Sequence, residues 1–232
     1  MDSLLDRAAA RLFPEDPRHH GVLPPLLVVL TVVTGLVDAV SYLGLGRVFV
    51  ANMTGNVVFL GFALAGDIQL SATASLLAAG AFMVGALAGG RIAPRIPDRV
   101  RLFAALVGAH AVLVAMALVA YLTGFSPYVL IALLALGMGL QNAVVLGLGV
   151  PDFTTTVLTR TLTGLAADRP GPATVRRLVS LAAMFCGALA GGLLQLRHGT
   201  AWALAPAVAL LAAVALAAAR SVRPPAQAQA QA

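Results

Sequence analysis

The sequence predicts an all-α integral membrane protein: six transmembrane helices arranged as two inverted three-helix repeats, each with an additional interrupted or re-entrant polar segment. Three observations predict it. Of the 232 residues, 60% are hydrophobic and only 10% charged, with a mean hydropathy of +0.94, whereas a soluble globular domain is about 45 to 50% apolar. The apolar runs divide evenly between two halves, and the polar motif Gly35-Leu36-Val37-Asp38-Ala39-Val40 of the first half has a weaker copy, Gly139-Leu140-Gln141-Asn142-Ala143-Val144, in the second. The basic residues are all arginines, and they crowd the loops that a six-span arrangement places on one side of the membrane.

Residues 1–24 form a cytoplasmic leader. Asp2, Asp6, Glu15 and Asp16 exclude the basic start of a secretory signal, and Pro14 and Pro17 interrupt it before any apolar core. Leu4, Leu5, Ala8, Leu12 and Phe13 read either as one face of a short helix lying on the membrane surface or as part of a frayed, solvated leader. The first membrane repeat covers 25–122, with apolar segments at 26–46, 48–66, 71–90 and 102–122. A linker at 123–127 leads to the second repeat, 128–220, with segments at 128–149, 153–167, 175–196 and 200–219. Residues 221–232, which from Pro224 onward are only Pro, Ala and Gln, are expected to be a disordered cytoplasmic tail. Gly85-Ala86-Leu87-Ala88-Gly89-Gly90 is identical to Gly187-Ala188-Leu189-Ala190-Gly191-Gly192, and Asp67 and Asp168 close the second segment of each half, so the halves read as a duplication.

Arginine placement decides how many segments cross. If all the segments span with the N-terminus inside, Arg7, Arg11, Arg18, Arg169, Arg176, Arg177, Arg220 and Arg223 are cytoplasmic, but Arg47, Arg91, Arg95, Arg99, Arg101 and Arg197 lie outside. If the second segment of each half fails to cross, Arg91 to Arg101 move inside and only Arg47 and Arg197 remain out. The positive-inside rule prefers the second arrangement, with both termini cytoplasmic. An odd number of crossings per repeat turns the second copy over relative to the first. Transporters built in this way hold a site near the midplane, where interrupted helices meet. The natural interrupted elements surround Asn52 to Asn56 and Thr155 to Thr163, although the first segment of each half, bearing Gly35 and Asp38, is an alternative place for the break.

The motifs Gly35-Leu36-Val37-Asp38-Ala39-Val40-Ser41-Tyr42, Asn52-Met53-Thr54-Gly55-Asn56 and Gly139-Leu140-Gln141-Asn142-Ala143 together resemble the YoaK-type family of small bacterial membrane proteins, over about residues 25–220. The resemblance implies a six-helix protein of the bacterial cytoplasmic (inner) membrane, with a domain of unknown function. It brings no substrate, cofactor or catalytic residue. Relatives carry a Thr-Gly pair in the second half as well as the first, whereas here Thr159 is followed by Arg160.

Asp38 is the only carboxylate well inside an apolar segment, since Asp67, Asp98, Asp152 and Asp168 stand at segment ends within reach of water. It reads either as a proton- or cation-binding group in a transport pathway or as a structural partner for a donor on a neighbouring helix. Arg160 is the candidate donor, because both residues approach the central axis of an inverted repeat. Asn52 and Asn56 share a face if helical, with Thr54 between them, and Thr155, Thr159 and Thr163 make a similar stripe. With Gln141 and Asn142 they read as a surface for coordinating a solute or ion, where helix N-terminal N–H groups would favour an anion. The threonines have the plainer alternative of bonding to the carbonyl four residues back. Gly85, Gly89, Gly187 and Gly191 form small-xxx-small patterns for close helix packing, within the monomer or across a homodimer. His110 and Cys186, each alone on an apolar run, read as packed residues.

The sequence contains no nucleophile–base arrangement, paired acids, phosphate-cradling glycine loop or zinc spacing. No catalytic residue, metal or cofactor is therefore expected, and loop-borne arginines give no reason to expect nucleic acid. The expected partners are the lipid bilayer and an unidentified small solute or ion. The leading expectation is a small secondary transporter or channel-like permease, with proton coupling through Asp38. The alternative is a membrane scaffold or accessory protein whose intramembrane polar groups only lock helices together.

Overall fold

The computed structural model describes residues 2–13, 21–152, 155–156 and 158–222. The helices are α1 (Asp2–Leu12), α2 (Leu23–Gly44), α3 (Met53–Leu64), α4 (Ala72–Ile92), α5 (Arg99–Leu122), α6 (Pro127–Leu148), α7 (Leu158–Ala167), α8 (Pro172–His198) and α9 (Thr200–Arg220), with a 3₁₀ turn at Ala93–Arg95. Six of them, α2, α4, α5, α6, α8 and α9, are long and apolar enough to cross a membrane. At a rise of 1.5 Å per residue even the shortest of these reaches about 30 Å. The protein is therefore a multi-pass membrane protein whose spans imply a lipid bilayer. By the same measure α3 is about 18 Å long and α7 about 15 Å, too short to cross. The break thus lies in the second segment of each half, while α2 runs unbroken from Leu23 to Gly44.

Local chemistry sets the helix ends. Prolines sit in the first turn of α2, α6 and α8, where no intrahelical N–H is needed. Side-chain oxygens of Asn52, Ser71 and Asp98 accept from the amides of Gly55, Ala74 and Arg101 to open α3, α4 and α5. Gly149, at φ 58°, closes α6 in the left-handed region. The leader residues Asp2–Leu12 form a helix, while the tail beyond Val222 lies outside the described residues.

The helices pair by close backbone approach. Gly35 faces α8 so tightly that a Cβ there would sit 2.6 Å from the Ala188 nitrogen, and a Cβ on Gly139 would sit 2.8 Å from the Ala86 nitrogen on α4. From the other side, Gly187 abuts Val32 and Gly191 abuts Leu36 and Ala39, while Gly85 abuts Leu136 and Gly89 abuts Leu140 and Ala143. Residue numbers rise together in both pairs, so α2 runs parallel to α8 and α4 parallel to α6. The four glycines expected to serve packing do so, with α4 seated on α6 and α8 on α2 rather than on each other. Helices α5 and α9 pack together and complete the bundle. The two central spans, α2 and α6, are the most buried, whereas Met83, Val84, Leu87, Val112, Phe185 and Leu189 turn outward from α4, α5 and α8, as lipid-facing side chains must.

One end of the bundle gathers the start of α2, the end of α4, the start of α5, the end of α6 and the start of α8. Arg99 donates to the Leu148 carbonyl there. Asp152, expected to stand in water, is only 14% exposed and binds Arg176 at 3.0 Å and Arg177 at 2.9 Å. Arg177 also reaches Asp168 at 2.6 Å. Arg176 donates to the Leu12 carbonyl and lies 4.6 Å from the centre of the Phe13 ring, so this cluster holds α1 against the bundle. Buried His110 packs on Gly137, as a packed residue should, while Cys186 is exposed on the outer face of α8.

Replacing Gly85 with Ala is expected to push α4 off α6 and cost about 1 to 3 kcal/mol. Gly90→Ala, where open space surrounds the added methyl, should instead stabilise by about 0.5 to 1 kcal/mol through helix propensity. Thermal unfolding of the two variants in detergent should therefore move the Tm in opposite directions.

Candidate functional site

The site begins where α2 ends. Gly46 and Arg47 adopt φ of 101° and 56°, turning the chain back so that residues 48–52 descend beside α2 as non-helical backbone. Asp38 lies six residues before the last residue of α2, about 9 Å along its axis. Its Oδ1 accepts from the amides of Val50 at 3.1 Å and Ala51 at 2.9 Å. Asn56, on the first turn of α3, accepts from the Phe49 amide at 2.9 Å through Oδ1 and donates to the Phe49 carbonyl at 2.6 Å through Nδ2. Three successive amides that no helix or water would satisfy are thus met by two side chains. An unmet amide in hydrocarbon costs several kcal/mol, which is the physical reason for a carboxylate and an amide in this motif.

The second half makes a looser version of the same arrangement. Asn142, which occupies in its motif the place Asp38 holds in the first, accepts from the Thr156 hydroxyl at 3.0 Å. Gln141 is buried and donates to Thr34 at 3.0 Å and to Thr155 at 3.4 Å, tying α6 to α2 and to Thr155 ahead of α7. Phe153, Thr154 and Val157 lie outside the described residues. The expected Thr155, Thr159 and Thr163 stripe does not form: Thr155 has φ 53° and precedes the helix, and Thr163 donates to the Thr159 carbonyl, the plain intrahelical bond.

Between these two interruptions lies a cavity of about 950 Å³. Its wall includes Asp38, Asn52, Thr54, Asn142, Thr156 and Thr159, so five of the expected site residues meet there across the two halves. Gly35, Phe82 and Met184, each near the middle of its span, also line it, which puts the cavity at mid-depth. Tyr42, Phe49 and Phe59 supply an aromatic flank, with ring centres 5.0 Å apart for Tyr42–Phe49 and 5.6 Å for Phe49–Phe59. Both short helices begin at the cavity, through Met53 to Gly55 and through Leu158 and Thr159.

Three expected residues stand elsewhere. Asn56 and Gln141 are 1% exposed and spent on internal bonds, so they shape the site without reaching the cavity. Arg160 is exposed on α7, and among the described residues no ion pair joins it to Asp38. The expected Asp38 to Arg160 pair is corrected on this point, because the backbone of residues 50 and 51 already holds the carboxylate. Of the amides around the start of α3, those of Val50 and Ala51 are committed to Asp38 and that of Gly55 to the Asn52 cap. The aromatic flank and the Asp152 cluster went unread in the sequence; the spacing Tyr42, Phe49, Phe59 signals the first only once the connector is known to fold back.

The family described as Protein of unknown function (DUF1275) matches residues 26–217. Over 150 residues, 63% of this chain and 67% of the relative, the chain is 35% identical to UPF0700 transmembrane protein YoaK of Bacillus subtilis (strain 168). The resemblance read from the Gly35 and Asn52 motifs therefore holds. No solved structure matches the chain.

Asp38→Leu strands two buried amides and is expected to lower stability by about 2 kcal/mol or more. Asp38→Asn keeps an oxygen for both and should unfold within a few degrees of the parent. Thermal melts in detergent compare the two directly.

Proposed function

We propose that this chain, which belongs to the DUF1275 family, is a small permease of the secondary-transporter or channel type that passes a small solute or ion through the cavity beside Asp38. The observation that carries the reading is the cavity itself: about 950 Å³ at mid-depth, bounded by interrupted segments from both halves and lined by amide, hydroxyl and carboxylate groups. Small-molecule sites fall at about 300 to 1,000 Å³. Polar groups at membrane depth are costly and mark a pathway more often than not.

Helix pairing supports reading the bundle as two inverted repeats of three spans. Exchanging α2 with α6, α3 with α7, α4 with α8 and α5 with α9 converts the α2·α8 interface into α6·α4 and the Gly35 contact into the Gly139 contact. Such symmetry gives alternating access a simple route, in which one half rocks against the other around a fixed site. Asp38, the one carboxylate on the cavity wall among the described residues, is the group on which proton coupling would act. Orientation follows from charge: Arg91, Arg95, Arg99, Arg101, Arg176 and Arg177 share the end of the bundle where α2 begins, while Arg47 and Arg197 occupy the other. The positive-inside rule makes the arginine-rich end cytoplasmic in a bacterial inner membrane.

Asn56, bonded through both its amide atoms, and Gln141, whose Nε2 ties α6 to α2, favour the competing reading of a scaffold whose polar groups only lock helices. A scaffold gives no account of a mid-depth cavity with polar walls.

In a Cys186→Ala background, Thr54→Cys should react with a membrane-impermeant thiol reagent in intact vesicles, and a transported solute should slow the reaction. An unreactive Thr54→Cys alongside a reactive control cysteine at Gly124 rejects the permease. The same Gly124 position, in the turn between α5 and α6, should report periplasmic; a cytoplasmic report overturns the orientation.

A further inference from the structure

We propose that the cavity beside Asp38 is a binding site for an organic cation, a small ammonium-bearing solute held by the Asp38 carboxylate and the Tyr42, Phe49 and Phe59 flank. This deepens the permease reading and rests on it only for the cavity being a solute's route.

The two oxygens of Asp38 are used unequally. Oδ1 takes both backbone amides, while no donor among the described residues reaches Oδ2, and Asp38 lines the cavity. A carboxylate oxygen left without a donor is an uncompensated charge in surroundings of low dielectric, and a cation brought to it recovers what desolvation cost. Asp38 is the only charged residue on the cavity wall among the described residues. No arginine competes for it there, and the chain has no lysine at all. An anion would meet the negative charge of Asp38 with no cationic side chain on the cavity wall among the described residues to offset it.

The flank chooses among cations. Tyr42, Phe49, Phe59 and Phe82 line the cavity, and the first three form one cluster with Tyr42 and Phe59 centres 6.0 Å apart. Ring faces attract a cation within about 6 Å, and most strongly one whose charge is spread over alkyl groups and already sheds water easily. A bare alkali ion needs several oxygen ligands in a tight shell, and a cavity of about 950 Å³ is far larger than such a shell. Met184 and Leu43, also on the wall, extend the same preference for a greasy cation. Asn52, Thr54 and Thr159 leave polar positions for a second functional group on the solute.

The test uses the full chain purified in detergent, with phenyltrimethylammonium and tetraethylammonium as probes. A neutral tert-butyl isostere and a benzoate-type anion are the controls, all at equal ionic strength. The ammonium probes should raise the Tm saturably and the controls should not, because ligand binding to the native state stabilises it. Asp38→Asn, which preserves the backbone clamp, should weaken the ammonium effect about thirty-fold or more. Phe59→Leu should weaken it about three-fold or more while leaving the unliganded Tm near that of the parent. Equal stabilisation by the neutral isostere, or full ammonium binding by a folded Asp38→Asn, overturns the proposal. Should Asp38→Asn not fold, unaltered ammonium binding by Phe59→Leu overturns it instead. Uptake by proteoliposomes separates the two readings. Ammonium binding without uptake of any solute upholds the site and rejects the permease. Uptake of a neutral or anionic solute, unaffected by ammonium, upholds the permease and rejects the site.

Discussion

Backbone amides inside hydrocarbon must find an acceptor, and the structure around residues 48–52 depends on that requirement being met by side chains. A chain of spans needs no such provision, because each helix satisfies itself. Once α2 ends and the chain folds back beside it, the amides of Phe49, Val50 and Ala51 have no helical partner, and Asn56 and Asp38 answer them. Everything near the cavity follows from this clamp: the depth at which α3 begins, the position of the aromatic flank, and the exposure of one carboxylate oxygen. The residues that make the break affordable are thus the same ones that give the cavity its charge.

The second determinant is the near contact of backbones. Glycines at 35, 139, 85 and 187 let the paired helices approach until main-chain atoms touch, which in lipid replaces the hydrophobic drive that holds soluble helices together. Each of these interfaces joins one half of the chain to the other: α2 lies on α8, and α4 on α6. Neither half buries its own small-residue faces. The cavity between the halves is consequently framed by rigid pairs, with the short helices α3 and α7 as the parts that are least enclosed.

Much of the fold was legible because hydropathy and length are nearly sufficient for spans. The six long helices lie within a few residues of the apolar segments read from the sequence, and counting arginines pointed to the second segment of each half as the one that fails to cross. The site was legible as a set of residue types but not as a geometry. Asp38 announced itself as a lone carboxylate, yet its partners are backbone amides, which no sequence pattern displays, and so a side chain of opposite charge, Arg160, was the natural but mistaken choice. Asn56 and Gln141 look like Asn52 and Asn142 in composition and differ only in which way they turn. Asp152 stood at a segment end, where exposure is the default, and only the approach of Arg176 and Arg177 from a distant helix makes it enclosed.

The tether between the leader and α8 also has a temporal side. Arg176, which holds both Leu12 and Phe13, is made 164 residues after Leu12. During synthesis α1 can meet α2 as soon as that helix is made, but its anchor on Arg176 is missing until the start of α8 has been made and Asp152 has oriented its arginines. The anchoring of α1 is therefore completed late, and it marks a chain whose two halves have already come together.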